Sequence, residues 1–158
     1  MREIIFRGKR KDNGEWIFGY YFQKQNPFSE DGFPITHYIS DCPPFGAEVD
    51  PETVGQFTGI TDKNGKRIFE GDIIRMNGSD SDLAVVEFGE FACVSIEDES
   101  LVDMVNGWYY RPIPKEALSK LAPFCWDFQL NKMWIENICI EVIGNINDDP
   151  DLLEVHNA

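Results

Sequence analysis

The chain is poor in the residues from which catalytic and metal centres are usually built. Its 158 residues include two histidines and four cysteines, and no two cysteines form the C-x-x-C pair of a zinc ribbon. The sequence also lacks G-x-x-x-x-G-K-[ST], G-x-G-x-x-G and H-E-x-x-H, which argues against phosphate-loop, dinucleotide-binding and zinc-protease functions. We therefore expect a protein that is not an enzyme and that holds no cofactor and no metal.

Positive charge is also scarce. The chain carries 14 Lys and Arg against 28 Asp and Glu, a net charge of −14. Because nucleic-acid binding depends on cations that displace counterions from phosphates, this balance argues against a general affinity for DNA or RNA. Between Arg75 and Arg111 there is no Lys or Arg at all. That segment holds eight acids, Asp80, Asp82, Glu87, Glu90, Glu97, Asp98, Glu99 and Asp103.

A solvated, self-repelling face explains the acidic segment most simply. The alternative is a docking surface for a basic partner, or a decoy for DNA.

Long apolar runs are absent too. None reaches the roughly 20 residues of a membrane helix, and the N-terminus lacks the charged-then-apolar pattern of a signal segment. We expect a protein of the reducing cytoplasm, with Cys42, Cys93, Cys125 and Cys139 as free thiols.

The N-terminal residues have the pattern of a β-hairpin. Residues 3–8 predict a first strand, Asn13-Gly14 supplies the positive φ angles of a tight turn, and residues 16–22 predict the return strand. Alternate residues of the return strand are aromatic, namely Trp16, Phe18, Tyr20 and Phe22. A stripe at period two is typical of a core face, with a ligand-binding platform as the alternative.

The rest of the chain predicts more short strands and one helix. Residues 83–88 and 91–96 have the pattern of two strands joined through Gly89-Glu90, and residues 114–121 that of a helix with proline in its first turn. Additional strands are predicted over residues 35–39, 53–59, 73–76, 108–110 and 138–144. Many short strands with turns between them indicate a small barrel or sandwich.

Candidate catalytic and metal-binding residues are weak. His37 is close in sequence to Cys42 only, and nothing orients the pair as a nucleophile and base. The acids at 97–99 and 80–82 lack the alternating spacing and distal Glu of a calcium loop. Cys93 and Cys139 fall within predicted strands, where a small thiol usually packs in the core.

Two segments are candidate contact surfaces. The basic turn at residues 7–11 could touch phosphates, although a solubilising turn explains it equally well. Aromatic residues in irregular segments near the C-terminus are candidates for binding a partner protein, or for capping the open end of a barrel. These residues are Trp108, Tyr109, Tyr110, Phe124, Trp126 and Trp134.

Several ordered segments of the chain resemble the YopX family of phage and prophage proteins. The most specific match is residues 51–75, which contain Pro-Glu-Thr-Val-Gly-Gln-Phe-Thr-Gly, then Asp-Lys-Asn-Gly-Lys and then Glu-Gly-Asp-Ile. Residues 2–20 and 141–146 also match, whereas residues 76–138 match only in general character.

The resemblance implies a fold and an origin, and no known activity. It implies a mostly β protein from a bacterial virus or prophage, with an N-terminal β-hairpin region over residues 1–48 and an SH3-like β-barrel over residues 49–158. It supplies no catalytic or ligand-binding residues. Asp72, at the start of a strand in the most specific match, is expected to organise a turn by accepting backbone N–H groups.

The sequence thus favours a non-enzymatic protein-interaction module that binds a host or phage protein, or its own copies, in the bacterial cytoplasm. One alternative is an acidic decoy or inhibitor of a host DNA-binding protein. Another is a weak nucleic-acid binder that uses the basic N-terminal turn.

Overall fold

A computed structural model describes residues 3–25, 27, 32, 34–94, 101–113 and 127–154. These residues form antiparallel strands, one α-helix and two short 3-10 helices at Pro51–Thr53 and Pro150–Leu153. The elements in chain order are β1 Phe6–Lys9, β2 Trp16–Gln25, β3 Ile35–Ser40, β4 Ala47–Glu48, β5 Gly55–Thr61, β6 Arg67–Phe69, β7 Asp72–Arg75, β8 Leu83–Val94, β9 Leu101–Pro112, β10 Phe128–Gln129, α1 Lys132–Asn137 and β11 Glu141–Asn145.

The chain divides into two compact units, residues 1–59 and 60–158. In the first unit the strand order is β4-β3-β2-β1-β5. β1 and β2 form the predicted hairpin, with Lys9 opposite Trp16 and Gly14 at φ +73° in the turn. Ile39 and Val49 are fully buried, and a Cβ on Gly8 would meet both of their side chains within 3.3 Å. Gly8 therefore lets β1 lie close against this small core.

In the second unit the strand order is β10-β9-β8-β7-β11. One face of this sheet packs with Ile135 of α1 and with Leu130 and Ile140, which flank the helix. The buried cluster consists of Ile68, Ile74, Ala84, Val86, Tyr110, Leu130, Ile135, Ile140 and Val142. No helix of the described residues is long and apolar enough to span a membrane.

The mostly β class and the N-terminal hairpin are confirmed. Neither sheet closes into a barrel through the described strands, so the SH3-like barrel stays a prediction. The predicted domains 1–48 and 49–158 also stay a prediction; they divide the chain earlier than the two compact units do. The helix predicted at 114–121 lies outside the described residues.

The helix α1 was missed by the sequence analysis. It begins directly after Asn131, a residue type common at the N-cap, but it is only six residues long and has no proline in its first turn, so its local pattern is weak. The helix is stabilised by the burial of Ile135 in the core cluster, a tertiary contact that the local sequence does not reveal.

The prediction of two strands joined through Gly89-Glu90 is wrong. Residues 83–94 form the single strand β8, which pairs with β9 along its whole length. Gly89 lies directly opposite Gly107. A glycine within a ladder of cross-strand pairs continues the strand, because a turn there would break the pairs on both sides of it.

Candidate interaction surfaces

The most specific part of the sequence pattern is used for folding. Asp72 is buried, and its Oδ2 accepts a hydrogen bond from the backbone N–H of Phe69 at 2.7 Å. This confirms Asp72 as a turn organiser. Asp62, also buried, accepts from the backbone N–H groups of Asn64 and Lys66 at 2.8 and 2.9 Å, which holds the second Asn-Gly turn with Gly65 at φ +80°.

The predicted aromatic contact residues do not share one environment. Tyr109 and Tyr110 are 4% and 3% exposed, so neither ring is available to a partner. Trp108 is half-buried against the core cluster. Phe124 and Trp126 lie outside the described residues. Trp134 is in α1, but its side chain lies outside them as well.

Trp108 belongs to an exposed face of the β8–β9 hairpin. Its ring makes an edge-to-face contact with Phe88 at 4.9 Å between centroids, and the two residues are directly opposite in the ladder. Phe88 is 53% exposed and Met104 47%. Cross-strand partners point to the same side of a sheet, so we define the hairpin face as Phe88, Glu90, Ala92, Met104, Asn106 and Trp108.

The sequence analysis found Trp108 in this face and missed Phe88 and Met104. Only the register of β8 against β9 brings the three together. Phe88, Glu90 and Ala92 are alternate residues, which in one strand lie on the same face. The sequence analysis did not place them together because it predicted a turn at Gly89-Glu90.

The opposite side of the same hairpin carries a polar cluster around Tyr109. The Tyr109 hydroxyl donates to Glu87 Oε2 at 2.6 Å and accepts from Arg111 Nη2 at 2.9 Å. Burial, followed by the hydrogen bond to Glu87, raises the pKa of Tyr109 to about 12. Arg111 also pairs with Asp127 at 3.3 Å. These contacts satisfy a buried phenol and tie β8, β9 and the residue before β10 together.

The described acids of residues 76–110 do not form one stripe. Glu87 and Glu90 are three positions apart on β8 and so lie on opposite faces. Asp80 pairs with Arg75 at 2.7 Å, and Glu87 with Arg111 at 3.1 Å. A mimic of the DNA backbone needs its charges on one face, so this arrangement does not favour the decoy alternative.

The aromatic stripe of β2 is not the core face that its pattern predicted. Phe18 is 51% exposed and Tyr20 57%. The residues that point the other way face the interior instead: Tyr21 is half-buried and its ring lies 5.4 Å from that of Phe6. Both faces of β2 carry aromatic residues, and only the tertiary packing selects which one is covered.

Cations lie against this exposed stripe at both ends. Arg7 and Lys9 lie over the Trp16 ring at 4.9 and 5.5 Å. At the other end Lys24 lies over Tyr38 at 4.7 Å and over Phe22 at 5.4 Å, and those two rings stack on each other at 5.4 Å. We define the N-terminal aromatic face as Trp16, Phe18, Tyr20, Phe22 and Tyr38.

Charged side chains at the tip of the basic turn form ion pairs within the first unit. Arg10 pairs with Asp12 at 2.5 Å, and Lys11 with Glu48 at 2.8 Å. The hydrogen bond to Glu48 raises the pKa of Lys11 above its ordinary value. These charges close the hairpin and attach it to β4.

The predicted cysteine and histidine candidates are spread through the structure. His37 is hydrogen-bonded to the Tyr21 hydroxyl at 2.5 Å. Cys139 is exposed at φ +50° just before β11, which corrects its predicted burial in a strand: the positive φ turns the chain before the ladder begins. No group of three or more His, Cys, Asp or Glu among the described residues is placed to hold a metal ion.

Comparison with known proteins identifies the family of the chain. No curated protein matches the chain. The family model described as YopX protein matches residues 5–114, which is most of the chain and includes both hairpins and the Asp62 and Asp72 turns. The chain therefore belongs to the YopX family.

Proposed function

We propose that this protein is a non-enzymatic protein-interaction module whose contact surface is the hairpin face. The observation that carries the proposal is the exposed Phe88 ring against the half-buried Trp108 ring, with exposed Met104 on the same side of the ladder. Aromatic and methionine side chains grouped on a surface are typical of contact sites between proteins. The non-enzymatic part of the proposal rests on the catalytic motifs that the sequence lacks.

The negative charge of the hairpin indicates a partner with a basic surface. Glu90 lies within the hairpin face, opposite Asn106, and no Lys or Arg occurs between Arg75 and Arg111. A partner segment with apolar anchors and Lys or Arg around them would complement this surface. A second copy of the chain would bring the same acids to the contact, and like charges would oppose it.

The resemblance to phage and prophage proteins extends the proposal to the place of action. We infer a partner from the host or the phage in the bacterial cytoplasm. The antiparallel sheet of the second unit supports an SH3-like barrel, which remains part of the proposal.

The test is capture of host proteins with matched variants. Wild type, Phe88→Ala/Met104→Ala and the control Phe18→Ala/Tyr20→Ala, whose side chains are exposed to a similar extent, are immobilised and the retained proteins quantified by mass spectrometry. We expect a basic protein retained by wild type and by the control and lost from the hairpin variant.

A direct titration then follows with that purified protein, which should bind wild type at least about tenfold more tightly than the hairpin variant. The proposal is wrong if every retained protein binds the hairpin variant as well as it binds wild type.

A further inference from the structure

The N-terminal aromatic face differs in chemistry from the hairpin face. Two half-exposed rings, Phe18 and Tyr20, lie between positions where lysines rest against aromatic rings. We propose that this face binds a short segment of single-stranded nucleic acid. Two bases stack on Phe18 and Tyr20, and the phosphates on either side approach Lys9 and Lys24.

The spacing of the rings fits successive bases. Phe18 and Tyr20 are alternate residues of one strand, so they point to the same side and their Cα atoms are about 6.6 Å apart. Flat aromatic side chains aligned along a sheet are a common platform for unpaired bases, because every base has a face that can stack. Phe22 and Tyr38, already stacked on each other, close one end of this row.

One end of the face carries a cation although the chain as a whole is acidic. Lys24 contacts the Phe22 and Tyr38 rings and has no carboxylate partner among the described residues. Glu48, opposite Tyr38 in the ladder, is paired with Lys11. At physiological salt charges more than about 8 Å away are largely screened, so Lys24 dominates the field that a phosphate bound beside it meets.

A single strand fits this face better than a folded protein does. Lysines lie against aromatic rings at both ends of the row formed by Phe18 and Tyr20, where the phosphates of a strand stacked along the row would pass, whereas the hairpin face contains no Lys or Arg. The proposal places the nucleic acid on the sheet face and not on the turn tip, where Arg10 and Lys11 are already paired.

The experiment is a fluorescence anisotropy titration of a labelled twelve-residue oligothymidylate with the full chain. Phe18→Ala and Tyr20→Ala are each expected to weaken binding at least about fivefold, as loss of one stacking ring does. The matched control Phe88→Ala/Met104→Ala should bind like wild type. All of these variants change half-exposed side chains, and thermal unfolding verifies that each is folded.

Two more measurements separate stacking from general charge attraction. The same sequence as a duplex should bind far more weakly, because its bases are already stacked. With two phosphate contacts the logarithm of the binding constant should fall with the logarithm of salt with a slope of about −1.4, and Lys24→Gln should make that slope shallower.

The proposal is overturned if the oligonucleotide does not bind at millimolar protein, if Phe18→Ala/Tyr20→Ala binds like wild type, or if the duplex binds as tightly as the single strand. An acidic, aromatic peptide that binds the face where the oligonucleotide does not would overturn it in favour of a protein ligand. None of these outcomes bears on the hairpin face, so the two proposals fail independently.

Discussion

The carboxylate of Asp62 accepts a hydrogen bond from the backbone N–H of Val142, 3.0 Å away, across 80 positions of sequence. The other oxygen of the same carboxylate holds the turn that follows it. One buried side chain thus organises a local turn and attaches β11 to it.

Replacing Asp62 by Ala leaves three backbone N–H groups without their acceptor. We expect the free energy of unfolding to fall by about 3 kcal/mol, since a buried donor that loses its partner costs 1–3 kcal/mol. Asp62→Asn keeps one acceptor oxygen and should lose about half as much. Urea unfolding measures both, with exposed Asp41→Ala as the control; equal stability of wild type and Asp62→Ala would contradict this role.

Glu141 should make stability depend on acid pH. Lys63, at 2.9 Å, and Arg75, at 3.1 Å, lower the pKa of Glu141 below its ordinary value of 4.5. A lowered pKa means that the folded state favours the charged form. The contribution to stability is therefore present above pH 4.5 and is lost as the pH falls through the lowered pKa.

The measurement is the unfolding free energy of wild type and Glu141→Gln as a function of pH. The difference between them should be constant near neutrality and shrink in acid. A difference that stays the same at every pH would show that the ion pairs with Glu141 do not stabilise the fold.

Tyr110 should make stability depend on alkaline pH. Burial raises its pKa from 10.0 to about 12, so the folded state favours the neutral phenol. Its contribution is complete below pH 10 and is lost as the pH rises through about 12. Tyr110→Phe removes the titrating group, and its unfolding free energy should fall less between pH 8 and pH 11 than that of wild type. An identical fall in both proteins would contradict the prediction.

Gly144 lies where a side chain would collide with the C-terminal segment. A Cβ there would overlap Asp149 Oδ2, and that oxygen accepts from the backbone N–H of Asn145 at 3.1 Å. Gly144→Ala should therefore cost about 1–3 kcal/mol. Gly107→Ala is the control, because a Cβ at that position meets nothing within 4 Å.

A double variant identifies the cause of that loss. Asp149→Ala removes the colliding atoms, so Gly144→Ala should be less damaging in the Asp149→Ala background than in wild type. Additive losses would mean that the collision with Asp149 is not responsible.

Local sequence chemistry predicted the hairpin turns and the general class of the fold. Asn13-Gly14 and Asn64-Gly65 form turns because glycine takes a positive φ at little cost. Asp72 was likewise predictable, since its bond to Phe69 spans only three positions. The candidate contact surfaces were predicted less well: Trp108 was identified, Phe18 and Tyr20 were named only as an alternative ligand-binding platform, and Phe88 and Met104 were missed.

The sequence by itself determined the mostly β class, the Asn-Gly turns, the acidic balance and the membership of the YopX family, because these depend on residue type and short-range order. The tertiary structure alone decided which side of an alternating strand faces water. Both sides of β2 carry aromatic residues, so the pattern could not distinguish the side of half-buried Tyr21 from the side of exposed Phe18. The register of β8 on β9, and with it the meeting of Phe88 and Trp108, likewise depends on pairing between distant residues.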